Sequence, residues 1–200
     1  QTGDFLVPFV NDGRISGTRD IVFRNGHMYV GSEYTDEVLR YHATTGAYID
    51  TFVASGSGGI DGPHGLAFGP DTNGDSIPEL YVTGRNSFNV VRYDGATGQP
   101  LGALDTAGSG ALSWPEGITI ESNGVAYVAS SGSSVVQKYD AVTDTYLGAI
   151  TSSQLNTPKA VRFGPEDGLM YVASAGNNRI LRFDGNGNFV DDFVPAGSGG

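Results

Sequence analysis

There is no cysteine in this 200-residue chain. Disulfides and thiolate metal sites are thereby excluded. Basic residues are also scarce: 11 Lys and Arg stand against 22 Asp and Glu, a net charge of −11. That balance argues against nucleic acid or an anionic membrane as partner, since both need basic patches. It suits an extracellular surface, or one that binds cations. No apolar run approaches the roughly 18 residues of a membrane-spanning helix. No helical period of any strength runs through the chain. The first residue is Gln1 rather than Met. It points either to a terminus processed on export or to a start beyond a disordered stretch. Export is the expectation, with an extracellular or cell-surface location, bacterial in type.

Glycine, by contrast, is abundant at 31 residues, and hydrophobics make up 38%. Many short strands joined by tight turns, around a real core, fit that mixture. An internal repeat says the same. Met28-Tyr29-Val30 leads to Leu39-Arg40-Tyr41, and Leu80-Tyr81-Val82 leads to Val91-Arg92-Tyr93. Ala126-Tyr127-Val128 leads to Gln137-Lys138-Tyr139, and Met170-Tyr171-Val172 to Leu181-Arg182-Phe183. The tyrosine-to-aromatic gap is 12 residues each time, and successive tyrosines lie 52, 46 and 44 residues apart.

Each repeat reads as four short strands separated by turn residues, for example Ala43-Thr44-Thr45-Gly46 and Asp94-Gly95-Ala96-Thr97-Gly98. Four-stranded units at this period are propeller blades. The expected fold is therefore all-β, a β-propeller-type tandem array of four four-stranded antiparallel blades plus one spare N-terminal strand. It forms a single repeat domain over 1–200: spare strand 3–10, blade 1 over 19–53, blade 2 over 63–105, blade 3 over 115–151, blade 4 over 158–194, and a linker-like tail 195–200.

Pro63-His64-Gly65-Leu66-Ala67-Phe68-Gly69-Pro70, then Leu80-Tyr81-Val82, then Val90-Val91-Arg92-Tyr93-Asp94, resembles an NHL-type repeat. The resemblance extends over all four repeats. It implies a propeller fold and, since such proteins are often exported bacterial ones, supports the export reading. It is weak for function, because the family hosts binding modules, scaffolds and some enzymes. Such propellers usually have about six blades; this chain supplies four.

Phe5-Leu6-Val7-Pro8-Phe9-Val10 aligns with the fourth strands Tyr48–Val53 and Phe189–Val194. Phe5, Leu6, Val7, Phe9 and Val10 are thus a candidate assembly edge, restricted by Pro8, which cannot donate to a ladder. Further blades beyond Gly200 are one expectation. Self-association through strand or blade pairing into a fibre or larger assembly is the other.

The most distinctive local motif is an insertion. The first-to-second-strand turn takes 6 residues in blade 1, 7 in blade 3 and 8 in blade 4, but 13 in blade 2, from Phe68 to Tyr81. Within it, Asp71, Asn73, Asp75 and Glu79 place oxygens at alternate positions, with the Ile77 carbonyl between. That spacing suits one hard cation, Ca²⁺. The stretch resembles the calcium hairpin loop of FG-GAP-type propeller repeats. The alternative is a polar turn held by Asx hydrogen bonds. Asp184, Asn186, Asn188 and Asp192 form a weaker echo on an ordinary strand turn.

One residue per blade is expected at the tunnel mouth just before the first strand: Arg19, His64, Glu116 and Lys159. Mixed charges there would bind a small anionic or zwitterionic ligand, or simply form a solvated rim. Trp114 is expected as a packing plug between blades. No Ser/His/Asp or phosphate-cradling signature is present. The leading functional expectation is a non-catalytic extracellular structural or interaction protein. The alternative is a small-molecule lyase- or lactonase-like enzyme with His64 and Glu116 as acid/base pair.

Overall fold

The computed structural model describes residues 8–104 and 111–198. Among these residues sixteen strands build four four-stranded antiparallel sheets, each a simple meander. Blade 1 comprises β1 (Thr18–Arg24), β2 (His27–Ser32), β3 (Glu37–His42) and β4 (Tyr48–Val53). Blade 2 comprises β5 (Pro63–Phe68), β6 (Leu80–Gly84), β7 (Asn89–Tyr93) and β8 (Pro100–Ala103). Blade 3 comprises β9 (Pro115–Ile120), β10 (Val125–Ser130), β11 (Val135–Asp140) and β12 (Thr145–Ile150). Blade 4 comprises β13 (Pro158–Phe163), β14 (Met170–Ser174), β15 (Arg179–Phe183) and β16 (Phe189–Val194). The four expected blades are all present.

Strand register explains the twelve-residue gap. The later aromatic pairs not with the tyrosine but with the residue before it: Tyr41 with Met28, Tyr93 with Leu80, Tyr139 with Ala126, Phe183 with Met170. The tyrosine itself lies opposite a cation, Arg40, Arg92, Lys138 or Arg182. Neighbouring residues on a strand face opposite ways, so each repeat sends one aromatic to each side of its sheet. We call the side carrying Tyr29, Tyr81, Tyr127 and Tyr171 the trailing face, and the other the leading face. One core joins trailing Tyr29, Val38 and Phe52 to leading Leu66, Leu80 and Tyr93. A second joins Tyr81, Val90 and Leu104 to Ile118, Val128 and Tyr139. A third joins Val136 and Ile150 to Val161, Met170 and Phe183. Most of the core is therefore three layers between blades, and the blades form a row in which β1, β5, β9 and β13 lie side by side.

Polar ties lock the row near its axis. The Leu66 N–H donates to Asp20 at 3.0 Å across blades 1 and 2. Thr83 Oγ1 accepts from the Gly65 N–H at 2.7 Å and donates to the Glu116 carbonyl at 2.6 Å. Thr119 Oγ1 donates to the Val161 carbonyl at 2.6 Å. The inner strands approach so closely that a Cβ at Gly65 would stand 2.4 Å from the Glu116 carbonyl oxygen; only glycine fits there.

The spare strand needs correction. Phe5, Leu6 and Val7 lie outside the described residues, and Phe9 and Val10 are not in a strand. Val10 and Ile15 instead pack on the leading-face cluster of blade 1, Met28, Val30, Leu39 and Tyr41. The Phe9 carbonyl lies against Gly46 just as the Phe52 carbonyl lies against Gly98. Phe9 and Val10 thus occupy the place of a preceding blade's outer strand, as the alignment with Tyr48–Val53 implied, but through side-chain burial rather than a ladder. Pro8, without an N–H, favours that outcome.

Position in the row decides the worth of equivalent residues. Leu66 is 2% exposed and its counterpart in blade 1, Ile21, is 46% exposed. Leu66→Ala is expected to cost about 2–5 kcal/mol, and Ile21→Ala less than about 1 kcal/mol, by denaturant unfolding.

Candidate functional site

Arg19, His64, Glu116 and Lys159 are each the second residue of an innermost strand. In every blade the ladder slips at this point: between Thr18 and Ile21, Pro63 and Leu66, Val128 and Ser130 opposite Pro115, and Pro158 and Ala160. A bulge bends a strand and re-aims its side chain. Here four bulges at one level turn four side chains to a common mouth. A proline opens three of these strands, where its missing N–H suits an irregular ladder.

The mouth is a cavity of about 550 Å³ that contains all four predicted residues. Glu116, 5% exposed, is its hub. Its Oε2 lies 2.7 Å from His64 Nδ1, and its Oε1 accepts from Lys159 Nζ at 2.5 Å. Arg85 Nε and Ser131 Oγ reach Oε1 as well, each at 3.3 Å. Burial by itself would raise the Glu116 carboxyl; the hydrogen bonds from His64 and Lys159 outweigh it and hold the group down at about 2. A second carboxylate, Glu33, is gripped by Arg19 through Nε at 2.5 Å and also through Nη2. The buried His64 lies between the two carboxylates. Its Nε2 is 3.4 Å from Glu33 Oε1 and makes no hydrogen bond.

Sequence reasoning found one ring of the mouth and missed the next. Glu33, Arg85 and Ser131 each stand four residues after the repeat tyrosine, at 29, 81 and 127. That offset was a readable signal; in blade 4 it carries Ala175, which brings no polar group. Asp20, Tyr34 and Arg162 also line the cavity. Four of the chain's 11 basic residues thus surround one opening, against three acidic ones, in a protein of net charge −11. Arg162 donates to the Ile118 and Val161 carbonyls and to Thr119, with no carboxylate partner among the described residues. Trp114 is not the expected buried plug. It is half exposed at a backbone φ of 47°, and Arg85 lies over its ring at 5.5 Å.

The other predicted site, the blade 2 insertion, closes on itself. Asp71 accepts from the N–H groups of Gly74 and Ser76 at 2.7 and 2.8 Å, Asn73 from Asp75 at 2.9 Å, and Asp75 from Ile77 at 2.7 Å. Glu79 is fully buried, with Oε1 accepting from Thr72 N–H and hydroxyl and from Asn73 N–H. Its Oε2 has no partner. No group of three or more His, Asp or Glu side chains suited to a metal gathers among the described residues. Asp184 is likewise spent on its own turn, accepting from Asn186 and Asn188.

Glu116 sets a pH dependence. Its folded value of about 2 lies below the ordinary 4.5, so the unfolded chain takes up the proton first. The stabilisation is complete above about pH 5 and is lost as pH falls through the window down to about 2. Glu116→Gln is expected to flatten that acid limb in urea titrations at pH 2–5, and an unchanged limb would contradict the assignment.

Neither a protein-family model nor a curated protein matches the chain. Among solved structures it is similar to Kuenenia stuttgartiensis hydrazine synthase, with a TM-score of 0.71 at 21% identity. The match covers 98% of this chain and 53% of that one, so the chain spans about half its length. At that identity the likeness speaks for architecture alone. With four meandering four-stranded sheets side by side, it makes this chain an all-β protein with a β-propeller-like fold.

Proposed function

We propose that the chain is a non-catalytic binding protein whose mouth receives a small anionic or zwitterionic ligand. One observation carries the reading: bulges in four separate blades deliver Arg19, His64, Glu116 and Lys159 to one cavity, with Arg85 and Arg162 added. A solvated rim has no need of such convergence. The resident carboxylates hold the cations in place without exhausting them. Lys159 has three donors and one carboxylate contact, and Arg85 offers Glu116 only its Nε. A ligand carboxylate or phosphate would meet preset donors, as charge-assisted recognition requires. An extracellular location fits the acidic remainder of the surface, and self-association is compatible because the end faces of the row are separate from the mouth.

Acid/base chemistry at the same place is the second reading. It is favoured by the unpartnered His64 Nε2, backed through Nδ1 by Glu116. A ligand that is turned over, with turnover lost and binding kept in His64→Gln, would favour it.

For the blade 2 loop we propose Ca²⁺ held by Asp71, Asn73, Asp75, the Ile77 carbonyl and Glu79. The support is the buried Glu79 Oε2, since an unpaired carboxylate oxygen is costly without a cation or donor. The loop carboxylates would exchange their own N–H donors for the ion.

Calorimetry with citrate, succinate and inorganic phosphate tests the mouth. At least one is expected to bind, and Lys159→Ala and Arg85→Ala are each expected to weaken it about tenfold, the worth of one charge-assisted hydrogen bond. Absence of binding by all three, or indifference to both substitutions, refutes the reading. For the loop, added Ca²⁺ is expected to raise Tm and EDTA to lower it, with no response in Asp71→Ala; a wild-type Tm unmoved by either excludes calcium.

A further inference from the structure

Two of the three interfaces inside the row share an aromatic knob and a socket, and in the third Ile120 takes the knob's place against the Tyr81 cluster. In blade 1, Tyr29 and Phe52 stand edge to face at 5.0 Å, with Arg40 over Phe52 at 4.9 Å and bonded to Asp50. Into this trailing-face socket blade 2 inserts Phe68, whose ring meets Tyr29 at 5.1 Å. Between blades 3 and 4 the knob is Phe163, 4.8 Å from Tyr127. Blade 4 carries the same socket fully formed. Tyr171 and Phe193 stand edge to face at 5.1 Å, with Arg182 over Phe193 at 5.1 Å and bonded to Asp191. Nothing among the described residues fills it. Phe193 is 52% exposed where its counterpart Phe52 is 5% exposed.

The matching knob is also unused. Phe23 lies opposite Met28 near the end of β1, as Phe68 lies opposite Leu80 at the end of β5 and Phe163 opposite Met170 at the end of β13. It is 59% exposed, and its neighbour Ile21 is exposed where Leu66, Ile118 and Val161 are buried. The chain does not bring the two ends together: β1 packs on β5, β5 on β9 and β9 on β13, with no comparable contact of β13 with β1.

We propose that the protein associates head to tail, with Phe23 of one copy seated in the Tyr171–Phe193 socket of the next. The occupant is a second copy because both halves of an interface used inside the row stand open on the same chain. Such a contact is heterologous; it closes a ring if the rotation allows and otherwise propagates. The Phe193 carbonyl of the incoming copy takes the place at Gly46 that Phe9 holds, as Phe52 does at Gly98. Docking therefore displaces residues 8–10, which act as a removable cap on the leading face.

The test is molar-mass measurement by light scattering over a concentration series, on wild type, Phe23→Asp and Phe193→Asp. Both substituted residues are exposed, so folding is expected to survive, checked by circular dichroism. Wild type is expected to grow in mass with concentration, and each variant alone to stay monomeric. The two variants mixed are expected to form a 1:1 dimer and stop, because one intact knob then meets one intact socket. Deleting residues 1–10 is expected to shift association to lower concentration. A wild type monomeric at its solubility limit, or association surviving Phe23→Asp, overturns the proposal, as does a mixture that remains monomeric.

Discussion

Every blade of this protein has two apolar faces and can cover neither by itself. That constraint organises the structure. A four-stranded meander with tyrosine on one side and Tyr41, Tyr93, Tyr139 or Phe183 on the other must find a neighbour for each face, or leave it in water. The row of blades is the solution: three buried layers lie between blades, and a smaller cluster on blade 1 is covered by Val10 and Ile15. Hydrogen bonds across the gaps settle the fine register. The buried Tyr81 hydroxyl, pushed up to about 12 chiefly by burial, donates to the Ala141 carbonyl at 2.7 Å and so reports how dry that layer is.

The same stacking produces the polar mouth. Because blades converge at their inner strands, whatever occupies the second position of each inner strand is brought together. The bulges then swing those side chains off the sheet face and out of the apolar layers. Glu116 and Glu33 are buried charges, tolerable because each is held by cations and hydrogen bonds. The arrangement is held in place for that reason: moving one member leaves a buried carboxylate unpaired. Apolar layers below and a fixed charge cluster above divide the molecule into a scaffold and a binding surface.

The N-terminal segment shows how local and global preferences interact. Its apolar run aligns with the outer strands, and Phe9 and Val10 do take an outer strand's place beside blade 1. Yet Pro8, Phe9 and Val10 form no ladder there, because the described residues supply no neighbouring strand edge to pair with on that side. Side-chain burial of Val10 and Ile15 holds the segment instead. At the insertion in blade 2, a spacing of oxygens that suits a cation is used equally well by the loop's own N–H groups. Both are cases in which a pattern specifies an inventory of groups and the surroundings choose the partner.

The fold was legible in the repeat because strand patterning is local: alternation, turn residues and a constant spacing act within some twenty residues and need no knowledge of the neighbours. Arg19, His64, Glu116 and Lys159 were legible for the same reason, as one position recurring in four repeats. Glu33, Arg85 and Arg162 were not singled out, although the first two recur at a fixed offset from the tyrosine, because that offset acquires meaning only once blades converge. Trp114 was expected as a packing plug and is half exposed instead, since a lone tryptophan before Pro115 reads alike as plug or rim. Only the tertiary structure decided which equivalent residues are buried. Phe52 and Phe193 are the same residue in the same pattern, and one is core while the other faces water, because burial depends on the adjacent blade rather than on the residue's own sequence.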